Sequence, residues 1–450
     1  MKYLRRILGW IVAVASGNVV WLVGGTALPL PAKIGVALVG VAGYVFVHAR
    51  PRKPSAPPVP AKTNTMLAGY ELLLAAGVSA LADIAGWIWL GVQLGAGADA
   101  ALWVVFAANA IVGAAFVAGL AVNGFIRVAV GSTQVPLTTK VLLALLWWFP
   151  PATAVLFRRM ARTINQEALV APQRAARDQA RLEAQVCRTK YPVLLVHGAF
   201  FRDWQAFNYW GRIPAALEAN GAVLHYAGQQ ASASVAVAGA EVAQAIRRVV
   251  EQTGCGKVNI IAHSKGGLDS RWAISQLGMA DHVASLTTVN TPHHGCNFAR
   301  KLMETIPQEA VNFIGEKYDV MFTKLGDPDP DFLAAIAHLT DTACAELNTL
   351  MPDAPGVYYQ SVTSRMASRF AAPFPLSLGY SLIQPLEGDN DGLVAVRSAA
   401  WGNFLGVVEP TGKHGLSHGD MIDLLRRDID GFDVCEFYVG LVACLYRKGF

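Results

Sequence analysis

The sequence predicts two architectures in series: an all-α bundle of apolar helices, then a mostly parallel β-sheet with helices on both faces. Three observations carry this. The 450 residues are 53% hydrophobic and 15% charged, with a mean hydropathy of +0.36, too apolar for one ordinary soluble domain. From Tyr191 onward, short apolar runs alternate with helical patterns. Within that second part, residues 258–267 read Val-Asn-Ile-Ile-Ala-His-Ser-Lys-Gly-Gly, a β-branched strand ending on a small-residue turn that opens an amphipathic helix, Gly266 to Leu277.

The excess apolar content lies at the front. Runs at 7–28 and 32–48 contain one charged residue, Lys33, and each is long enough to cross a hydrocarbon core of roughly 30 Å. Further runs occupy 66–94, 100–122 and 137–157, the last holding Pro150 and Pro151. This predicts four spans and a possible fifth, which is re-entrant or interfacial if the count stays even. A signal peptide is excluded by the length of the first run and by the runs that follow it. Glu71 lies near the end of its span and can reach the interface. Asp83 lies deep in the same span, where a carboxylate is costly, and is expected to make a structural hydrogen bond inside the bundle.

Between the second and third spans, Arg-Pro-Arg-Lys-Pro-Ser-Ala-Pro-Pro-Val-Pro forms an extended basic linker. Its Arg50, Arg52 and Lys53, with Lys2, Arg5 and Arg6, belong on the cytoplasmic side. Residues 158–190 carry eight Lys or Arg against Glu167, Asp178 and Glu183, a surplus equal to the whole net charge of +5. The charge therefore describes a juxtamembrane segment on anionic headgroups, and nucleic-acid binding is a poor account of it. A cytoplasmic second domain follows, whereas five full crossings would place it outside.

In the second domain, 191–450, strands are expected at Pro192–Val196, Ala222–Tyr226, Val258–Ala262, Val283–Val289 and Val357–Val362. Helices are expected at Ala206–Ala219 and Val235–Gln252. The stretch from 297 to 355 separates two strands and contains apolar helical patterns such as Phe332 to Leu339; it reads as a lid. Six scattered cysteines give no disulfide framework. Cys435 and Cys444 are nine apart on an expected terminal helix and face opposite sides, so reduced thiols are the default.

Ser264 occupies the strand-to-helix turn, flanked two residues away by Ala262 and Gly266, which lets strand and helix pass closely. Such a turn lifts a hydroxyl clear for nucleophilic attack. His197-Gly198-Ala199-Phe200 follows the first strand, where a tight loop can aim a backbone N–H at an oxyanion; Ala199 and Lys265 are the candidate donors. Since Lys265 acts there through its backbone, its side chain is expected to face solvent, and His197 is expected to brace its loop. A glycine-bounded loop, 388–394, offers Asp391 as the acid, with Asp389 as rival. Lys413 to Asp420 then supplies two histidines, His414 and His418. The order Ser, Asp, His is that of α/β-hydrolases. His293 and His294, adjacent and without matching carboxylates, read as loop packing.

Taken together, Tyr-Pro-Val-Leu-Leu-Val-His-Gly, Val-Asn-Ile-Ile-Ala-His-Ser-Lys-Gly-Gly-Leu-Asp-Ser-Arg, Thr-Pro-His-His-Gly and Asn-Asp-Gly-Leu-Val, in this order, resemble the bacterial true lipases (triacylglycerol lipases) of the α/β-hydrolase superfamily. The resemblance covers about residues 190–430. It implies an α/β-hydrolase fold with a helical lid, Ser264 as nucleophile, Asp391 as acid and His418 as general base. His418 is preferred to His414 because the family histidine is followed two residues later by an aspartate, matched by Asp420. In calcium-binding members that aspartate is a metal ligand, but its partner is missing around 368–374, so no cofactor is expected. The apolar front of the chain departs from the exported lipases, so an extracellular role is not inherited with the fold. The resulting expectation is a multi-pass protein of the bacterial inner membrane that hydrolyses lipid esters. Phospholipase, polyester depolymerase or acyltransferase action on the same residues remains open, and so does a non-catalytic membrane module.

Overall fold

The computed structural model describes residues 2–49, 60–95, 99–181, 183–199, 209–297, 331–412 and 414–450, with isolated positions between 300 and 323. The chain forms two compact units, Met1–Gln179 and Ala180–Phe450.

The first unit is all helical: α1 Lys2–Gly17, α2 Val19–Gly24, α3 Leu30–Ala49, α4 Ala61–Leu94, α5 Ala100–Gly131, α6 Leu137–Leu146 and α7 Pro150–Arg181. Of these, α3, α4 and α5 are long and apolar enough to cross a membrane. Two of the apolar runs read from sequence are interrupted. In 7–28 the helix breaks at Asn18, whose side-chain amide bonds the Val14 carbonyl at 3.0 Å and so competes with the backbone ladder. In 137–157 residues 147–149 form a turn, and Pro150 and Pro151 open the next helix, where their missing N–H groups cost nothing. Glu71 pairs with Arg6, Nε to Oε2 2.8 Å, and the expected hydrogen bond to Asp83 comes from Asn18 at 2.6 Å.

Helices α4 and α5 run antiparallel, with Gly69 against Gly124, Met66 against Gly131 and Gly91 opposite Phe106. A Cβ on Gly124 would come within 2.9 Å of the Gly69 carbonyl, so the two backbones touch. Gly86, by contrast, faces open space.

The second unit holds a six-stranded, wholly parallel sheet in the order β2-β1-β3-β4-β5-β6. The strands are β1 Val193–Val196, β2 Leu224–Tyr226, β3 Val258–His263, β4 Val283–Val289, β5 Tyr358–Ser364 and β6 Asn403–Val408. Alternate residues of the buried strands enter two cores. Val193, Leu195, Ile261 and Val362 pack with Trp210, Leu217, Tyr438 and Val442 on one face. Leu194, Val196, Ile260 and Leu286 pack with Val242, Ile246 and Ile274 on the other. Helices thus cover both faces: α8 Ile213–Ala219 and the terminal helix Val434–Arg447 on the first, α9 Val235–Thr253 and α10 Gly266–Gln276 on the second. All six cysteines are free, and Cys435 and Cys444 lie on the terminal helix.

Five strands fall where the sequence places them within two residues; β6 was not foreseen. Of the 297–355 stretch, the described part contains helices Phe332–Ala337 and Asp341–Leu350, and most of the remainder lies outside the described residues, as do positions 206–208 of the helix expected at Ala206–Ala219. The tight α4–α5 crossing makes a prediction. Gly124→Leu should destabilise the helical unit by about 1–3 kcal/mol or more, while Gly86→Leu should be neutral, as read by thermal unfolding of the detergent-solubilised chain.

Candidate active site

Connections leave β1 in one direction to β2 and return past it to β3, so the sheet reverses its winding between β1 and β3. The crevice at the carboxyl ends of those two strands is where such sheets place ligands. Ser264 directly follows β3 there, and the His197–Ala199 loop directly follows β1.

Ser264 follows β3 directly, with φ at 55°, left-handed for a residue carrying a side chain. The turn is held by the Ser264 N–H donating to Val289 O at 2.9 Å. The Ser264 carbonyl accepts from Thr291 Oγ1 at 2.7 Å and Gly267 N at 3.1 Å. Glycine is required on both sides: a Cβ at Gly266 would lie 2.3 Å from the His197 carbonyl, and one at Gly198 would lie 2.7 Å from Ser264 Cβ. The loop after β1 therefore presses on the serine turn, and Ala199, buried, is its next residue. His197 braces this loop, its Nδ1 at 2.8 Å from the Gly198 carbonyl. Phe200 lies outside the described residues.

Asp391 and His418 come together. His418 Nδ1 is 2.6 Å from Asp391 Oδ2, and the His418 backbone N–H donates to the Asp391 carbonyl at 2.9 Å. The Asp391 carboxylate is fully buried and well supplied with donors. Its Oδ1 accepts from the N–H groups of Leu393 at 2.8 Å and Val394 at 2.7 Å, and its Oδ2 also accepts from Asn290 Nδ2 at 2.5 Å. The imidazole of His418 lies against that of His263, the residue before the serine, with ring centroids 4.4 Å apart. Burial, with His418 second, drives the pKa of His263 well below the usual histidine value, so this neighbour stays neutral.

The rival residues are elsewhere. Asp389 is half-exposed and paired with Arg365; His414 is exposed, and its backbone carbonyl accepts from Ala367 N. His293 is buried against Thr288 at 2.9 Å, a packing and hydrogen-bonding position.

Asp420 does not fit a calcium ion. Its Oδ2 accepts from the Ser417 N–H at 3.0 Å and hydroxyl at 2.7 Å, bracing the turn that carries His418, and its Oδ1 faces the guanidinium of Arg427 at 3.2 Å. Arg427 also donates to the Ala371 carbonyl, so a cationic side chain already joins the two loops that a metal would join. Among the described residues no group of three His, Cys, Asp or Glu side chains could hold a metal.

The Lys265 side chain is a correction. Expected in solvent, it is 1% exposed, with Nζ 2.7 Å from Asp269 Oδ1 one helical turn on. The pair lies at the start of α10, where Asp269 supplies the counter-charge that lets Lys265 be buried. Two further residues were not read from the sequence. Asn290, at φ 51° after β4, ties Asp391 to Ser364. Tyr209 accepts from the Gly198 N–H at 3.0 Å and bonds His263 Nδ1 at 2.7 Å. An asparagine directly after a β-branched run is the kind of residue that adopts a left-handed turn, so Asn290 had a usable signal; Tyr209 had none.

Burial raises the Asp269 pKa to about 6 against the opposing pull of Lys265. The folded value lies above the unfolded one, so the stabilising contribution of this proton is complete below about pH 4 and is lost as pH rises through about 6. Asp269→Asn should remove that slope from a plot of unfolding free energy against pH. At neutral pH it should also cost about 3–5 kcal/mol, because the Lys265 ammonium keeps its burial without its counter-charge.

The family model described as "Putative serine esterase (DUF676)" matches residues 220–325. A triacylglycerol lipase of Pseudarthrobacter phenanthrenivorans is 34% identical over 178 residues, 37% of this chain and 55% of the relative. A triacylglycerol lipase of Burkholderia plantarii is likewise 34% identical, over 37% of this chain and 49% of the relative. The chain spans about half the length of these relatives. Among solved structures, Staphylococcus hyicus lipase aligns with a TM-score of 0.44 at 19% identity, covering 58% of this chain and 96% of that one. The chain has the sheet order of an α/β-hydrolase fold and is similar over part of its length to triacylglycerol lipases, and three long apolar helices precede the sheet in sequence.

Proposed function

We propose that this protein is a membrane-anchored serine hydrolase that cleaves carboxylic ester bonds of lipids through an acyl-enzyme on Ser264. The observation that carries the reading is the 2.6 Å bond between His418 and the buried Asp391 carboxylate, set against the left-handed turn of Ser264. His418 donates from Nδ1 to Asp391, which leaves Nε2 free to take the Ser264 proton as the hydroxyl oxygen attacks the ester carbonyl. The backbone N–H groups of Ala199 and Lys265 hold the oxyanion. The imidazolium then returns its proton to the leaving alcohol; water, deprotonated by the same histidine, releases the acid and restores the serine.

Two features favour lipid esters. The helix Leu376–Glu387, whose Gly379 packs on the Gly392 carbonyl beside Asp391, exposes Leu378, Leu382 and Leu386 in one stripe, with Phe370 and Phe374 exposed just before it. Such a patch suits an aggregated, apolar substrate. The three long apolar helices hold the enzyme where lipids are concentrated. The basic residues flanking these helices favour the inner membrane of a bacterium, with the hydrolase unit in the cytoplasm.

Membranes carrying the chain should hydrolyse esters of graded acyl length, with rates rising toward long chains, and Ser264→Ala should lower the rate by roughly 10³-fold or more. Equal rates from wild-type and Ser264→Ala membranes on every ester would overturn the assignment. Asn290→Ala removes one of the four donors on Asp391 at a cost of about 1–3 kcal/mol. It should therefore lower kcat about 10- to 100-fold with KM little changed.

A further inference from the structure

The helical unit buries a polar cluster for which ester hydrolysis has no use. Asn18, at the break between α1 and α2, donates to Asp83 Oδ1 at 2.6 Å and accepts from Asn109 Nδ2 at 2.9 Å. Asn109 in turn accepts from the Trp21 backbone N–H at 2.9 Å. This network satisfies one oxygen of Asp83. Among the described residues the other, Oδ2, has no hydrogen-bond partner although the residue is 2% exposed; Ser79 Oγ and Trp87 Nε1, one turn before and after it on α4, have none there either. Among the described residues no cationic side chain pairs with Asp83.

Two glycines face Oδ2, with the aromatic rings of Trp87 and Phe116 beside them. A Cβ on Gly113 of α5 would meet Asp83 Oδ2 at 3.3 Å, the Gly17 carbonyl at 3.4 Å and Trp87 at 3.2 Å; one on Gly17 would meet Oδ2 at 3.9 Å. A carboxylate oxygen and a carbonyl oxygen therefore both lie against Gly113, beside the rings of Trp87 and Phe116, with a serine hydroxyl one turn away. A buried carboxylate without a counter-charge is unfavourable in apolar surroundings, and oxygen donors of this kind suit hard cations.

We propose that Asp83 Oδ2, the Gly17 carbonyl and Ser79 Oγ form a binding site for a monovalent cation, H⁺ or Na⁺, inside the helical unit. The site shares no residue with the hydrolase chemistry, so either can fail without the other.

The test uses the full chain in detergent micelles, treated in Na⁺-free buffer with dicyclohexylcarbodiimide, which couples to protonated carboxyls, with the adduct on Asp83 read by peptide mass spectrometry. Wild type should be labelled on Asp83 and Asp83→Asn should carry no adduct in that peptide. If Na⁺ is the natural occupant, saturating NaCl but not KCl should cut labelling about tenfold or more. Gly113→Ala, which places a methyl group among the oxygens, should abolish that protection while leaving the labelling. If a proton alone binds, labelling should be indifferent to Na⁺ and fall as the buffer is made alkaline. Absence of any Asp83 adduct from mildly acidic to alkaline pH, in a preparation whose ester hydrolysis is intact, overturns the proposal.

Discussion

The parallel-sheet unit depends on one backbone constraint: the chain turns from β3 into α10 through two residues, Ser264 and Lys265, and the serine is in a left-handed conformation. Such a conformation costs on the order of 1–2 kcal/mol for a residue with a Cβ. It persists because its neighbours over-determine it. Val289 and Thr291 hold its amide and carbonyl, and the His197–Gly198 segment closes over it with no room for a Cβ at Gly198 or Gly266. The same closeness that strains the turn brings Gly198, in the loop after β1, against Ser264.

A second requirement is to hold a buried carboxylate in one orientation. Asp391 meets it with two backbone N–H groups on one oxygen and Asn290 and His418 on the other. Lys265 and Asp269 solve the related problem of a buried cation by pairing within one helical turn. Lys265 lies just after β3, whereas Asp391 sits on the loop that follows the helix Leu376–Glu387. Asp83 in the helical unit has half of this arrangement: one oxygen is held by Asn18, and the other has no partner among the described residues.

What could be read from the residues alone follows from burial. Strands β1 and β3 to β5 are inner strands, so their apolar or β-branched runs mark them in sequence; β2, at the edge, was found by its place between a helix and a turn. Strand β6, Asn403–Val408, is the other edge, half-exposed and interrupted by Gly406, and gives neither an alternating nor a continuous apolar pattern. The loops bearing Asp391 and His418 were visible because glycine, aspartate and histidine cluster there. Their meeting across 27 positions was expected only through the family resemblance. The Lys265 side chain misled because lysine is rarely buried, and its partner four residues away is recognisable only once the helix face is known. Asn18 was hidden inside an apolar run, where one amide carries little weight in a hydropathy average yet is enough to break the helix.

The central claim is that the Ser264 hydroxyl is a nucleophile activated by His418. The most direct measurement treats membranes carrying the protein with a fluorophosphonate and locates the adduct by peptide mass spectrometry. A phosphonyl group on Ser264 in the wild type, with labelling slowed about 10³-fold or more in His418→Ala, is the predicted result. No adduct on Ser264, or labelling at the same rate in both chains, would contradict it.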